Sequence, residues 1–144
     1  MTQPHQAATS VPVSIKGVVV RDELVMLLKN VRDEWELPGG RIEIGETPAQ
    51  CVAREIAEQT QWLVTTGPIL DAWMYQVLPG HHMFVVVYGC CLHSGADPVL
   101  SHEHKEIGLF TQHEVPELVM QEDYRRSVAM WFDRLQHGAL EKIS

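Results

Sequence analysis

Residues 39–62 read G-G-R-I-E-I-G-E-T-P-A-Q-C-V-A-R-E-I-A-E-Q-T-Q-W, a glycine-bearing loop followed by a helix with carboxylates on one side. The helix start is well marked. Thr47 is a good N-cap, Pro48 suits the first helical position, and Gln50 completes a T-x-x-Q capping box. From there Ala49, Ala53, Ile56 and Thr60 fall on one side at helical spacing and form the expected apolar stripe. Glu55 and Glu58, three apart, share another side, and Gln59 lies there too.

Two like charges at that spacing repel mildly and do nothing for the helix. A hard cation reverses the sign, because magnesium takes oxygen ligands and is usually held by one or two carboxylates plus substrate phosphates. Gly39, Gly40 and Gly45 permit backbone conformations that bring a loop carbonyl close enough to ligate. Two glutamates on a helix are, by themselves, most often a solvated face; the whole spacing decides otherwise. Gly40, five residues, Glu46, seven residues, then Arg54-Glu55-Ile56-x-Glu58 resembles the Nudix box. That pattern is G-x5-E-x7-R-E-U-x-E-E-x-G-U, where U is a bulky apolar residue, and Trp62 fills the last U. The preceding Trp35-Glu36-Leu37-Pro38-Gly39 is similar to the family's run into the box. Gln59 stands where the family has its last glutamate, and Gln61 where it has glycine. A glutamine carbonyl is a neutral and weaker ligand for a hard cation. Without glycine, a left-handed helix end near Thr60 comes at greater backbone cost.

The resemblance implies roles for these residues. Arg54 orients the helix carboxylates, with Glu46 and Gly40 in the supporting network. The Gly39 carbonyl, Glu55, Glu58 and Gln59 are the expected ligands of magnesium, with manganese as the alternative. One further glutamate from the loop before a late strand joins as ligand or general base, Glu106 ahead of Glu103. Trp35 is a candidate for stacking on a base, and Glu122 and Asp123 for hydrogen bonding to it. The implied activity is metal-dependent hydrolysis of a nucleoside diphosphate linked to another group, by water attack at phosphorus. The alternative is a domain that binds a nucleotide or an ADP-ribose-like ligand without cleaving it. The partner is a small nucleotide-like molecule; many relatives dimerise, which leaves a homodimer open.

The 144 residues, 45% hydrophobic and 21% charged, suit one domain with a real core. A formal net charge of −8 without any basic run argues against a nucleic-acid polymer as partner. There is no run of eighteen apolar residues, so no membrane span is expected. The polar stretch 1–10 reads as a mobile tail and 11–144 as a single domain. Cys51, Cys90 and Cys91 form no C-x-x-C pair, and the cytoplasm is the expected compartment. Cys51 reads as a buried small apolar residue.

Along the rest of the chain, 13–20 and 24–28 read as a hairpin and 35–37 as a short strand. Residues 65–68 read as a loop. Residues 69–78 and 83–92 form a second hairpin, central to the sheet, with His81 and His82 exposed at its tip. Residues 107–110 are a strand, Pro116 and Glu117 open a helical turn, and 123–137 is a helix. Val128, Trp131, Phe132 and Leu135 form its inner side, and Gly138 stands just past its end. Strands with interspersed helices imply an α/β fold, a mixed sheet with helices on both faces. The resemblance implies it more specifically, as an α/β/α sandwich.

Overall fold

The computed structural model describes residues 10–93 and 95–143, with the side chains of the last helix described as far as Gly138. The tail expected over residues 1–10 lies outside the described residues except for Ser10. In chain order the elements are β1 (Val13–Arg21), β2 (Leu24–Lys29), β3 (Trp35–Glu36), β4 (Gly39–Arg41), α1 (Pro48–Thr60), β5 (Val64–Leu78), β6 (His81–Leu92), β7 (Glu106–Thr111) and α2 (Glu122–Ile143). A 3-10 turn, Val115–Glu117, precedes α2. No helix among the described residues is long and apolar enough to cross a membrane.

The seven strands form one mixed sheet in the order β3-β2-β1-β6-β5, with β4 on β1 and β7 on β2. The β1–β6 pairing is parallel and the others are antiparallel. The β1–β2 hairpin turns on Asp22 and Glu23, both with positive φ (52° and 66°). A two-residue turn of that hand matches the right-handed twist of the strands it joins.

Side chains alternate across the pleat, so each strand feeds two cores. Ile15, Val19, Met26, Leu28 and Cys90 meet Cys51, Val52 and Ile56 of α1 on one face. Val18, Val25, Leu27, Val85 and Val87 meet Tyr124, Val128, Trp131 and Phe132 of α2 on the other. The expected α/β/α sandwich is therefore observed. Gly17 seats α1 on the sheet: a Cβ there would lie 2.9 Å from Ile56 Cδ1 and 3.0 Å from Val52 Cγ2.

Several boundaries differ from the sequence reading. The Gly39–Arg41 segment is a strand, because β2 pairs only with the far end of β1 and leaves Ser14–Lys16 open to β4. The stretch expected as a loop at 65–68 belongs to β5; Thr65 and Thr66 pair with Cys91 and Cys90, and Pro68 falls in the register shift before Ile69. Proline has no ladder donor and is tolerated at such a bulge. In the second hairpin only β6 is central, and β5 is an edge. Its turn is Pro79–Gly80; His81 and His82 are exposed, as expected, but already belong to β6. α2 continues through Gly138, and Leu135 is 37% exposed rather than on the inner side.

The buried side of α1 is Cys51, Val52, Ile56, Gln59 and Thr60, not the stripe through Ala49 and Ala53. Valine and cysteine remove more apolar area from water than alanine, so the helix turns toward them. Ile56→Ala is accordingly expected to cost about 2–5 kcal/mol. Ala49→Ser is expected to stay within about 0.5 kcal/mol of the parent. Urea midpoints of the two variants check the orientation of α1.

Candidate active site

The N-terminus of α1 is fixed by the predicted capping box: Gln50 N donates to Thr47 Oγ1 at 3.1 Å, and Thr47 N donates to Gln50 Oε1 at 2.9 Å. The loop before it folds on Glu46, whose Oε1 accepts from Glu43 N at 2.8 Å. Arg54 then reaches back from the second turn. Its Nε donates to Glu46 Oε2 at 3.0 Å and its Nη2 to Glu46 Oε1 at 2.8 Å, a two-pronged contact. Its Nη1 donates to Glu55 Oε1 at 2.9 Å and to Glu58 Oε1 at 3.0 Å, and its Nε lies 3.9 Å from a Glu43 carboxylate oxygen. One guanidinium thus gathers four carboxylates.

The electrostatics follow from that crowding. Hydrogen bonds from Arg54 hold the Glu46 carboxyl down at about 2. The same contact, reinforced by Glu55, pushes the guanidinium further above its ordinary range. Burial, then the neighbouring Glu46, pushes the Cys51 thiol up to about 12, so it is inert and packs as the small apolar residue expected.

Two glycines bring β4 against this helix. Gly39 has φ +144°, and a Cβ on it would lie 2.1 Å from the Ile15 carbonyl oxygen. A Cβ on Gly40 would lie 2.6 Å from the Glu55 carboxylate. Gln59 closes the junction. Gly39 N donates to Gln59 Oε1 at 3.1 Å, and Gln59 Nε2 donates to the Gly39 carbonyl at 2.9 Å and to Glu55 Oε2 at 3.2 Å. The amide has one donor edge and one acceptor edge, which matches a peptide unit; a carboxylate could not donate to the carbonyl. Gln59 is 5% exposed. It faces the Gly39 peptide, where the sequence reading has both groups facing a cation.

The structure therefore brings Gly39, Gly40, Glu46, Arg54, Glu55, Glu58 and Gln59 together. It does not bring the remaining candidates to them. Glu103 is exposed in its loop, its N–H on Ser101 Oγ at 3.3 Å. Glu106 opens β7 and lies 3.8 Å from Lys29 Nζ, which in turn sits over the Trp35 ring. Trp35 is buried edge-on against Phe110, with centroids 4.8 Å apart, and is core rather than an open stacking platform. Glu122 and Asp123 pair with Arg125 and Arg126 one turn along α2. Glu43 was not singled out from sequence, although it sits three residues before Glu46.

Glu55, Glu58 and the Gly39 carbonyl are hard oxygen donors of the kind magnesium takes. Among the described residues no three His, Cys, Asp or Glu side chains stand close enough to hold an ion. The donor chemistry fits a hard cation, with one carboxylate fewer than the resemblance implies.

The NUDIX domain model matches residues 11–132. The chain belongs to the NUDIX domain family. It is 27% identical over 129 residues to "Putative ADP-ribose pyrophosphatase YjhB" of Bacillus subtilis, a match covering 85% of this chain and 61% of that protein. It is 49% identical over 65 residues to the MutT-like protein of Streptomyces ambofaciens, covering 42% of each. The chain thus spans less than two thirds of the length of these relatives. A NUDIX-family hydrolase structure from Clostridium perfringens superposes with a TM-score of 0.75 at 19% identity, covering 85% of this chain and 97% of that one. That likeness establishes the shared fold.

Two expectations follow for this NUDIX domain. Gln59→Met removes both ends of the clasp and leaves a buried N–H and C=O unpaired, at about 1–3 kcal/mol for each group. Metal-free melting curves are expected to show a clear loss of stability, against no change if residue 59 merely faced an open site. The second concerns acid. A carboxyl depressed in the folded state stabilises above its ordinary value of 4.5, and that contribution is lost as pH falls through about 2. Denaturation midpoints of Glu46→Gln are therefore expected to lie below the parent at neutral pH and to converge with it toward about pH 2.

Proposed function

We propose that this NUDIX domain hydrolyses a nucleoside diphosphate linked to another group, releasing a nucleoside monophosphate and a phosphorylated remainder. The observation that carries the reading is the Arg54 fork, which holds Glu46, Glu55 and Glu58 together on the open side of α1, beside a glycine strand. Like charges are collected there against their own repulsion, an arrangement that favours a cation and a phosphate chain.

Glu55 and Glu58 are the residues that would hold magnesium, or manganese, with the Gly39 carbonyl available once Gln59 releases it. When bound, such an ion neutralises the diphosphate and lowers the pKa of a water bound to it. Arg54 fixes the rotamers of both carboxylates. Glu58 is the more open of the two, its side chain 55% exposed against 17% for Glu55. Only its Oε1 is engaged by Arg54, so its second oxygen can take the proton of an attacking water. Gly40, without a side chain, lets β4 pack directly on the Glu55 carboxylate. The three cysteines are free thiols, which suits a reducing compartment, and we place the protein in the cytoplasm.

One observation favours a second reading. With Gln59 on the Gly39 carbonyl the site is short of donors, which suits a domain that binds a nucleotide or ADP-ribose-like ligand without cleaving it. Calorimetry against a nucleotide panel, run beside a phosphate-release assay, separates the two.

Glu58→Gln is expected to lower turnover by about a hundredfold or more, the scale of removing one electrostatic stabiliser of a transition state. The melting temperature should hardly move, since an exposed acid contributes little to stability. Chelation should abolish turnover, and added magnesium should restore it. Near-normal turnover in either case would overturn the hydrolytic mechanism.

A further inference from the structure

The two faces of the sheet are not covered equally. A helix with its side chains is about 10 Å wide and neighbouring strands lie about 4.8 Å apart, so one helix covers about two strands. α2 packs on Val85 and Val87 of β6 and reaches Leu70, Trp73 and Tyr75 of β5. α1 packs on β1, β2 and the end of β6 at Cys90, and leaves most of the β5–β6 face outside it.

That face is apolar. Residues directly opposite in an antiparallel pair share a side of the sheet. Ile69 is opposite Tyr88, Ala72 opposite Val86 and Met74 opposite Phe84. Val86 and Tyr88 pack at the margin of the α1 core, which puts these pairs on the α1 side. Ile69 is 54% exposed and Met74 55%. α1 stands beside this floor as a wall. Thr66 Oγ1 of β5 donates to the Ala49 carbonyl at 2.8 Å, which turns that side of the helix toward β5. At about 100° per residue Ala53 and Ala57 follow on the same side, away from Cys51 and Glu55, which face β4. Ala49 and Ala53, expected in the core from sequence, are thus the open side of a shelf.

We propose that a second copy of the chain docks on this shelf, in a twofold dimer in which each β5–β6 face lies on the other. The layer spacing suits a second copy. Packed sheets lie about 10 Å apart, about the width of a helix. The partner's β5–β6 hairpin therefore lies level with α1, against the alanine wall. By the twofold, the partner's α1 lies level with this sheet beside β5, its last strand. A sheet edge left open invites uncontrolled pairing, and a helix laid along it prevents that. Charge points the same way. At a net charge of −8 two copies repel over most of their surface, whereas floor and wall carry no charged side chain. Asp71, the one acid of β5, faces α2 and pairs with Arg126 at 2.9 Å. The area is adequate. Ile69 to Gln76 runs about 25 Å, and floor plus wall are about 20 Å across. That is about 500 Å² per copy in plan, before side-chain relief, against about 800 Å² of accessible surface in a standard interface. The carboxylate side of α1 stays outside the contact, so the dimer is independent of the hydrolytic reading.

The experiment is sedimentation equilibrium of the full chain across the micromolar range. The mass should rise from one chain to two. Met74→Lys puts a charge on the floor and Ala53→Lys on the wall, and each should weaken dimerisation about tenfold or more, because the charge is buried without a partner. Val31→Lys, at a residue 81% exposed near the opposite end of the sheet, should leave it unchanged. Added salt should strengthen the dimer, since it screens the repulsion between two acidic chains. Melting curves verify that the variants fold. A chain that stays monomeric throughout would leave the shelf to a different protein and overturn the assignment. A dimer that survives either shelf substitution at parent strength, is weakened equally by Val31→Lys, or dissociates in salt would overturn it as well.

Discussion

A single guanidinium among four carboxylates is the constraint on which this structure turns. Glu43, Glu46, Glu55 and Glu58 come from a loop and from two turns of α1, and without Arg54 they would repel one another. Two hydrogen bonds to Glu46 tie the loop to the helix, and single bonds to Glu55 and Glu58 set their rotamers. The side chain is only partly buried, so the charges keep water on one side and the cluster stays open to a ligand. Charge-assisted bonds of this sort give both strength and direction.

That cluster is useful only because β4 is held against it. Gly39 and Gly40 allow the strand to lie between β1 and α1 at distances a side chain would forbid. Gln59 then binds both polar groups of the Gly39 peptide, so the position where the family pattern has a carboxylate serves here as a clasp between helix and strand. The departure from the pattern and the packing of β4 are thus one feature. A third carboxylate would face the Gly39 carbonyl and Glu55 with no proton to offer.

A second polar cluster steadies the other face. Burial alone would raise the Glu36 carboxyl, but hydrogen bonds from His104 and Asn30 and the charge of Lys16 outweigh it and hold it at about 2. His104 Nε2 lies 3.0 Å from Glu36, and Lys16 Nζ donates to the Leu37 carbonyl at 3.1 Å. These contacts pin the loop before β7 and the approach to Gly39, so the acidic helix and the glycine strand keep a fixed spacing.

Much of this was legible in the residue order. The capping box, the Arg54–Glu55–Glu58 spacing and the left-handed end at Gln61 (φ 63°) are local, and local geometry follows from neighbours in the chain. The β1–β2 hairpin and the two-faced sheet follow from alternation. What the sequence by itself determined, then, was the family, the elements and the side of α1 on which charge collects. Only the tertiary structure decided which groups meet across the chain. Gln59 turned from a cation to the Gly39 peptide, and Trp35 was closed into the core by Phe110. Glu106 was drawn to Lys29. Each of these contacts depends on strand register and on burial, which sum over residues tens of positions apart, and no spacing along the chain encodes them singly.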